Sequence, residues 1–224
     1  MFIARQKFSD VLDVNPQLIL MLPRFGMKLG FGEKRIEEIC RSEEVPVSLF
    51  LMLCNVYTFD DYMPSDEEIQ AIEGEWLVRY LKASHDYYIN HRLPHIRKHV
   101  ERIAQAAGEI GAVLMDFFGE YQKEVTNHFE QEETSLFPCI SVGKERSVTS
   151  KDSHEMTYMH DNIGDKLSDL TNIIIKYLPA EIMPNERIGV WFDLAQLSKD
   201  LDKHAIIEEK ILIPYFSRKE GGEL

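Results

Sequence analysis

One phrase is written twice in this chain. HFEQEETSLFP (His128–Pro138) and HAIIEEKILIP (His204–Pro214) share the pattern HxxxEExxLxP, 76 residues apart. Side chains four apart lie on one face of an α-helix. His128 therefore projects with Glu132, and His204 with Glu208. A second doubling surrounds the first: His85 opens HDYYINHRL, and His160 opens HDNIGDKL, 75 residues later. The chain reads as His, HxxxE, His, HxxxE. In a helical fold these groups lie on four helical faces.

The remainder of the sequence agrees with a helical fold. Alternating β-branched runs are scarce, and the long segments carry helical periodicity. Four amphipathic segments are expected, from about Glu68 to Ala107, Ile110 to Phe137, Ser153 to Tyr177, and Pro184 to Ile213. The first is expected to break near Ser84 and to carry a kink or local defect at Pro94. The third stops at Leu178-Pro179, and Pro138 and Pro214 are expected to end the second and fourth. The polar loop SVGKERSVTSKD separates the halves. Short connections make neighbouring helices antiparallel. The expected architecture is all-α, an up-down-up-down four-helix bundle over residues 64–224 with a small N-terminal helical domain over residues 1–63. Ser65 with Glu68 forms a capping-box pattern at that boundary.

Composition narrows the partners. The formal net charge is −13, which opposes binding to phosphate backbones and anionic lipid surfaces. The longest apolar run, VSLFLMLC, is too short to span a bilayer, and MFIARQKFSD lacks a secretory apolar region. Cys40, Cys54 and Cys139 form neither a disulfide framework nor a zinc knuckle, and each reads as a small buried hydrophobe. The expectation is a cytoplasmic protein that engages neither nucleic acid nor membrane.

A bundle interior facing four imidazoles and two carboxylates is costly without compensation. Two metal ions satisfy all six side chains at once. Imidazole nitrogen with carboxylate oxygen suits iron or manganese, with zinc as a further option. Facing helices of a bundle are where di-iron carboxylate sites are built. The expected metal set is His85, His128, Glu132, His160, His204 and Glu208. The simplest pairing gives His85 and His128 to one ion, His160 and His204 to the other, with Glu132 and Glu208 between. That set leaves roughly one open position on a six-coordinate iron.

Other groups have plainer readings. A lone HxxxE is an ordinary surface pair, but two copies with two matching HD histidines are not. Glu124 and Asp200, each one turn before an HxxxE histidine, are candidates for orienting imidazoles or relaying protons, or ordinary acids of a helix face. Glu133 and Glu209 are expected to point away, toward cations or solvent. His91, His95 and His99 read as a solvated stripe, and His154 as surface. Tyr87, Tyr88, Tyr121 and Trp191 read as aromatic core.

These residues resemble a hemerythrin-type (HHE) cation-binding domain over about Glu68–Phe216. Hemerythrin itself uses a fifth histidine one turn beyond the third-helix histidine, where this chain has Gly164. The closer resemblance is to the RIC (repair of iron centres) proteins. That resemblance implies a di-iron site on His85, His128, Glu132, His160, His204 and Glu208, and a small N-terminal helical domain. It also implies a diatomic ligand (NO or O2), a role in nitrosative or oxidative stress, and an iron–sulfur protein client. The RIC N-terminal domain typically carries an adjacent cysteine pair followed by glycines. The corresponding stretch here, RFGMKLGFGEKR (Arg24–Arg35), keeps the glycines without the cysteines. The other reading is a gas or redox sensor or an oxygen- or iron-binding protein without turnover. Catalysis, electron donor and homo-oligomerisation are left open by the sequence.

Overall fold

The computed structural model describes residues 1–138 and 150–219. Cys139 and the loop up to residue 149 lie outside the described residues. Among the described residues there is no strand, and an isolated bridge pairs Lys7 with Arg35. No helix among them is long and apolar enough to cross a membrane. Proximity of backbone positions in space groups the chain into two units. One comprises Met1–Ser84 with parts of 136–149 and 206–224, and the other comprises His85–Ser135 with Ser150–Ala205.

The first unit begins with α1 (Phe8–Val14). Asn15 then accepts a hydrogen bond from the Gln17 amide at 3.0 Å, which opens the 3-10 turn Pro16–Leu20. Helix α2 (Met21–Arg24) follows, then α3 (Ile36–Ser42) and α4 (Val47–Thr58). Gly26, at φ 73°, reverses the chain after α2, a backbone position that disfavours side chains. The expected capping box opens α5 (Asp66–Gln70): Ser65 Oγ accepts from the Glu68 amide, and Glu68 accepts from the Ser65 amide at 2.8 Å.

Helix α6 (Gly74–Tyr87) runs unbroken through Ser84, whose hydroxyl bonds the Tyr80 carbonyl at 2.9 Å. The interruption falls instead between α5 and α6. Phe8, Leu18, Met21, Leu22, Phe50 and Leu53 form a fully buried core. Tyr80 of α6 joins it, with its ring 4.8 Å from that of Phe25. Buried Arg24 donates to the Tyr57 hydroxyl at 2.9 Å, so the cation enters the core with partners. Cys40 and Cys54 are free and buried, as the small-hydrophobe reading expects.

The second unit holds the bundle helices. They are α7 (Leu93–Ala106), α8 (Glu109–Gln131), α9 (Ser150–Asn172) and α10 (Pro184–Ile207). Helices α7 and α8 join through Ala107 and Gly108. Gly111 brings the start of α8 so close to α7 that a Cβ there would lie 1.9 Å from the Ala104 carbonyl oxygen. Arg92 reaches Asp193 and Gln196 of α10, while His99 and Arg102 reach Glu186. Rising numbers on α7 meet falling numbers on α10, so the two are antiparallel. The core includes Tyr88, Ile96, Val100, Phe118, Phe129 and Leu167.

Each long helix contains one widened π segment: Tyr88–Arg92, Glu132–Leu136, Ile173–Tyr177 and Glu208–Leu212. A proline stands two residues past every one of them, at Pro94, Pro138, Pro179 and Pro214. Proline lacks an N–H, and its ring clashes with the carbonyl four residues back. Those carbonyls belong to Asn90, Thr134, Ile175 and Lys210, the middle residue of each segment. Widening the turn relieves the clash, and at Pro94 and Pro214 the helix continues, whereas after Ile173–Tyr177 the chain leaves the helix at Leu178, the stop expected there. The defect expected at Pro94 is therefore present. Pro214, expected as a stop, is instead the second residue of α11 (Ile213–Lys219).

Candidate metal centre

Two of the π segments begin at Glu132 and Glu208, the first glutamates of the doubled phrase. Such widened turns occur often at functional sites. His85 comes from the last turn of α6, His128 from the last turn of α8, and His204 from the last turn of α10. His160 lies in the middle of α9. His85 and His204 are 1% exposed, His128 2% and Glu132 5%, so these polar groups stand in the bundle interior. Glu208 follows His204 by one turn of the same helix and is fully buried.

Glu132 is the hub. Its Oε1 lies 3.2 Å from His128 Nε2 and 3.6 Å from His160 Nε2. Its Oε2 lies 3.4 Å from His85 Nε2. His85 Nε2 in turn lies 3.0 Å from His204 Nε2. Ligand atoms of His85, Glu132 and His204 all fall within 4.8 Å of one another, as do those of His128, Glu132 and His160. One carboxylate thus offers one oxygen to each histidine pair.

The pairing differs from the simplest one expected. His85 pairs with His204 and His128 with His160, rather than His85 with His128 and His160 with His204. The cause is ring closure. Helix α10 packs beside α7, and α8 beside α9, where Glu124 bonds Asn162 and Lys166. The histidines of the first and last long helices therefore pair with each other, as do those of the two middle helices.

The donor set fits metal ions. Nitrogen and oxygen ligands bonded at about 2.1 Å, meeting at about 90–110°, stand roughly 3.0–3.4 Å apart. The spacings of 3.0, 3.2, 3.4 and 3.6 Å match or narrowly exceed that range. Without thiolates, the set favours imidazole- and carboxylate-binding metals such as iron, manganese or zinc.

Groups around the histidines fix their rings. His85 Nδ1 lies 2.9 Å from Glu133 Oε1, and its ring stacks on Phe129 at 4.0 Å with an 8° interplanar angle. A carboxylate on Nδ1 holds the proton there and leaves the Nε2 lone pair facing the centre. Glu133 is the contact of His85 that a regular helical pattern misses. It was expected to point away, but it occupies the π segment, where the wider turn alters the angle between successive side chains. Its repetition in both copies of HxxxEE was the available signal.

Glu124 is committed to Asn162 and Lys166 and ties α8 to α9 four residues before His128. Asp200 is 3% exposed, one turn before His204. Tyr88 and Tyr121 are core, and burial pushes the Tyr121 hydroxyl well above the usual range. Trp191 departs from the core expectation at 42% exposure, because it lies on the outer face of α10. His91 and His154 are exposed.

A comparison with curated proteins finds no match. The family described as hemerythrin HHE cation binding domain matches residues 77–216. That span contains both copies of the doubled phrase and the four expected ligand histidines, and the all-α bundle agrees with it. The chain belongs to the hemerythrin HHE cation-binding domain family.

Proposed function

We propose that this chain is a non-haem di-iron protein. His85 and His204 would hold one iron, His128 and His160 the other, with Glu132 and Glu208 shared between them. The observation that carries this is Glu132, whose two oxygens face different histidine pairs. Glu208 enters through the repeat, as the counterpart of Glu132 one turn beyond its own histidine. When bound, the iron pair supplies reversible redox chemistry and an open position for a diatomic ligand, NO or O2. The chain's own groups do the rest. Glu133 keeps the His85 proton on Nδ1, Phe129 holds that ring flat, and Tyr88 packs edge-on to His204 at 5.6 Å. Together they present imidazole lone pairs inward and limit water around the centre.

The physiological reading rests on the resemblance to RIC proteins: a cytoplasmic stress protein that binds or reduces NO, or donates iron to a damaged iron–sulfur protein. Residues 1–63 are the proposed contact for that client or for a second copy of the chain. The test is NO consumption by the reduced protein and reactivation of a damaged cluster enzyme. Absence of both refutes this role. Two observations favour a gas or redox sensor instead: Gly164 where hemerythrin has its fifth histidine, and no cysteine in Arg24–Arg35. A sensor binds gas at equilibrium without turnover and alters contacts of residues 1–63, and unchanged contacts on ligation would count against it.

A further inference from the structure

Outside the buried centre, α7 and α10 assemble a second set of metal-ligating atoms. His95 and His99 stand one turn apart on α7, and Asp193 meets them from α10. A ligand atom of each lies within 4.8 Å of the other two. Their side chains are 52%, 29% and 23% exposed in that order, so an ion from solution can reach them.

Neighbouring charges aim these atoms. Arg92 donates to the Asp193 carbonyl at 2.9 Å and to Gln196 Oε1 at 2.8 Å, and lies 3.1 Å from Asp193 Oδ1. With Oδ1 engaged, Oδ2 stands 3.6 Å from His95 Nε2. His99 Nδ1 lies 2.6 Å from Glu186 Oε1, and an Arg102 nitrogen lies 2.8 Å from the same Nδ1. The carboxylate decides the tautomer. It needs a proton on Nδ1, whereas Arg102 already has a bond of its own to Glu186. The His99 lone pair therefore sits on Nε2. The arrangement of carboxylate, imidazole and open nitrogen is the one that orients histidine ligands at metal sites.

We propose that His95, His99 and Asp193 form a separate site for a zinc-type divalent cation, with Glu186 positioning His99 and Arg92 positioning Asp193. Two imidazoles among three ligands disfavour calcium and magnesium, which take oxygen donors. Three protein ligands leave the fourth position of a tetrahedral dication to solvent. The bound ion links α7 to α10 on the outside of the bundle and exchanges with solution, so it responds to the free zinc level. The site requires nothing of the internal metal.

The test is Zn2+ titration of the full chain, loaded with iron and desalted, by calorimetry, with iron measured before and after. One further Zn2+ per chain is expected to bind, with iron content unchanged and a raised thermal midpoint. The double variant His95→Ala/His99→Ala should lose both the uptake and the thermal shift. Glu186→Gln should weaken binding by about 10–100-fold. Asp193→Asn should also weaken it while keeping the Arg92 contact to the backbone carbonyl. No uptake up to millimolar Zn2+, equal uptake by the double variant, or uptake matched by loss of iron would each overturn the site.

Discussion

Arg187 gives the sharpest test of how the α9–α10 corner is built. Pro179 cannot donate an N–H, so the carbonyls of Ile174 and Ile175 lose their helical partner. Arg187 is 8% exposed and supplies substitutes, donating to Ile174 O at 2.8 Å and Ile175 O at 3.0 Å. A third bond goes to Pro179 O at 2.8 Å. Arg187→Met keeps the aliphatic stem and removes all three donors. Ile174 is buried, whereas Ile175 and Pro179 are exposed and water can replace the donors lost there. Leaving one buried acceptor unsatisfied costs about 1–3 kcal/mol, and a loss of that size is expected, a sizeable share of a typical domain's stability. Urea unfolding at fixed free iron reads it as a lower midpoint with an unchanged slope. Pro179→Ala restores one backbone donor. In the Arg187→Met background it should therefore recover about 1 kcal/mol relative to its effect alone. A loss below about 1 kcal/mol, or strict additivity of the two changes, would refute the assignment of Arg187 as the corner's hydrogen-bond donor.

Other outcomes follow from single contacts. Gly111→Ala should destabilise the chain by about 1–3 kcal/mol, because the new methyl meets a backbone oxygen that cannot move aside. Gly164→Ala should stabilise it by up to about 1 kcal/mol, since a Cβ there meets nothing within 4 Å and the helix gains propensity. Glu133→Gln should weaken metal retention by about 10–100-fold in chelator competition, through loss of the His85 orientation rather than of a ligand. Burial pushes the Cys40 thiol up to about 12 and the Cys54 thiol well above its usual range. At pH 8 both are protonated, so neither should be alkylated in the native protein, and both should react once it unfolds.

Much of this molecule is written in residue spacing. The i, i+4 rule and the repeat place His128 with Glu132 and His204 with Glu208, and burial of these four agrees with an inward face. Ser65 and Glu68 announce their turn because capping is a local interaction. What spacing does not carry is tertiary closure. The pairing of His85 with His204 depends on α10 returning beside α7, which no segment encodes alone. Regular helical geometry does not hold across the widened turn that carries Glu133. The prolines held that information, since each removes a donor and crowds the carbonyl four residues back. Read as stops, Pro138 and Pro214 hid it. Read as causes of π segments, they account for the setting of Glu132 and Glu208 in the doubled phrase.

The doubled phrase is proposed to build one dinuclear iron centre. Metal analysis of protein expressed with ample iron, with optical spectra of the oxidised and reduced forms, tests it most directly. A dinuclear centre gives about two irons per chain and a near-ultraviolet absorption that disappears on reduction. Loss of both metal and stability is also expected in His128→Ala/His204→Ala. A chain without iron, manganese or zinc, whose stability that double substitution leaves unchanged, would contradict it.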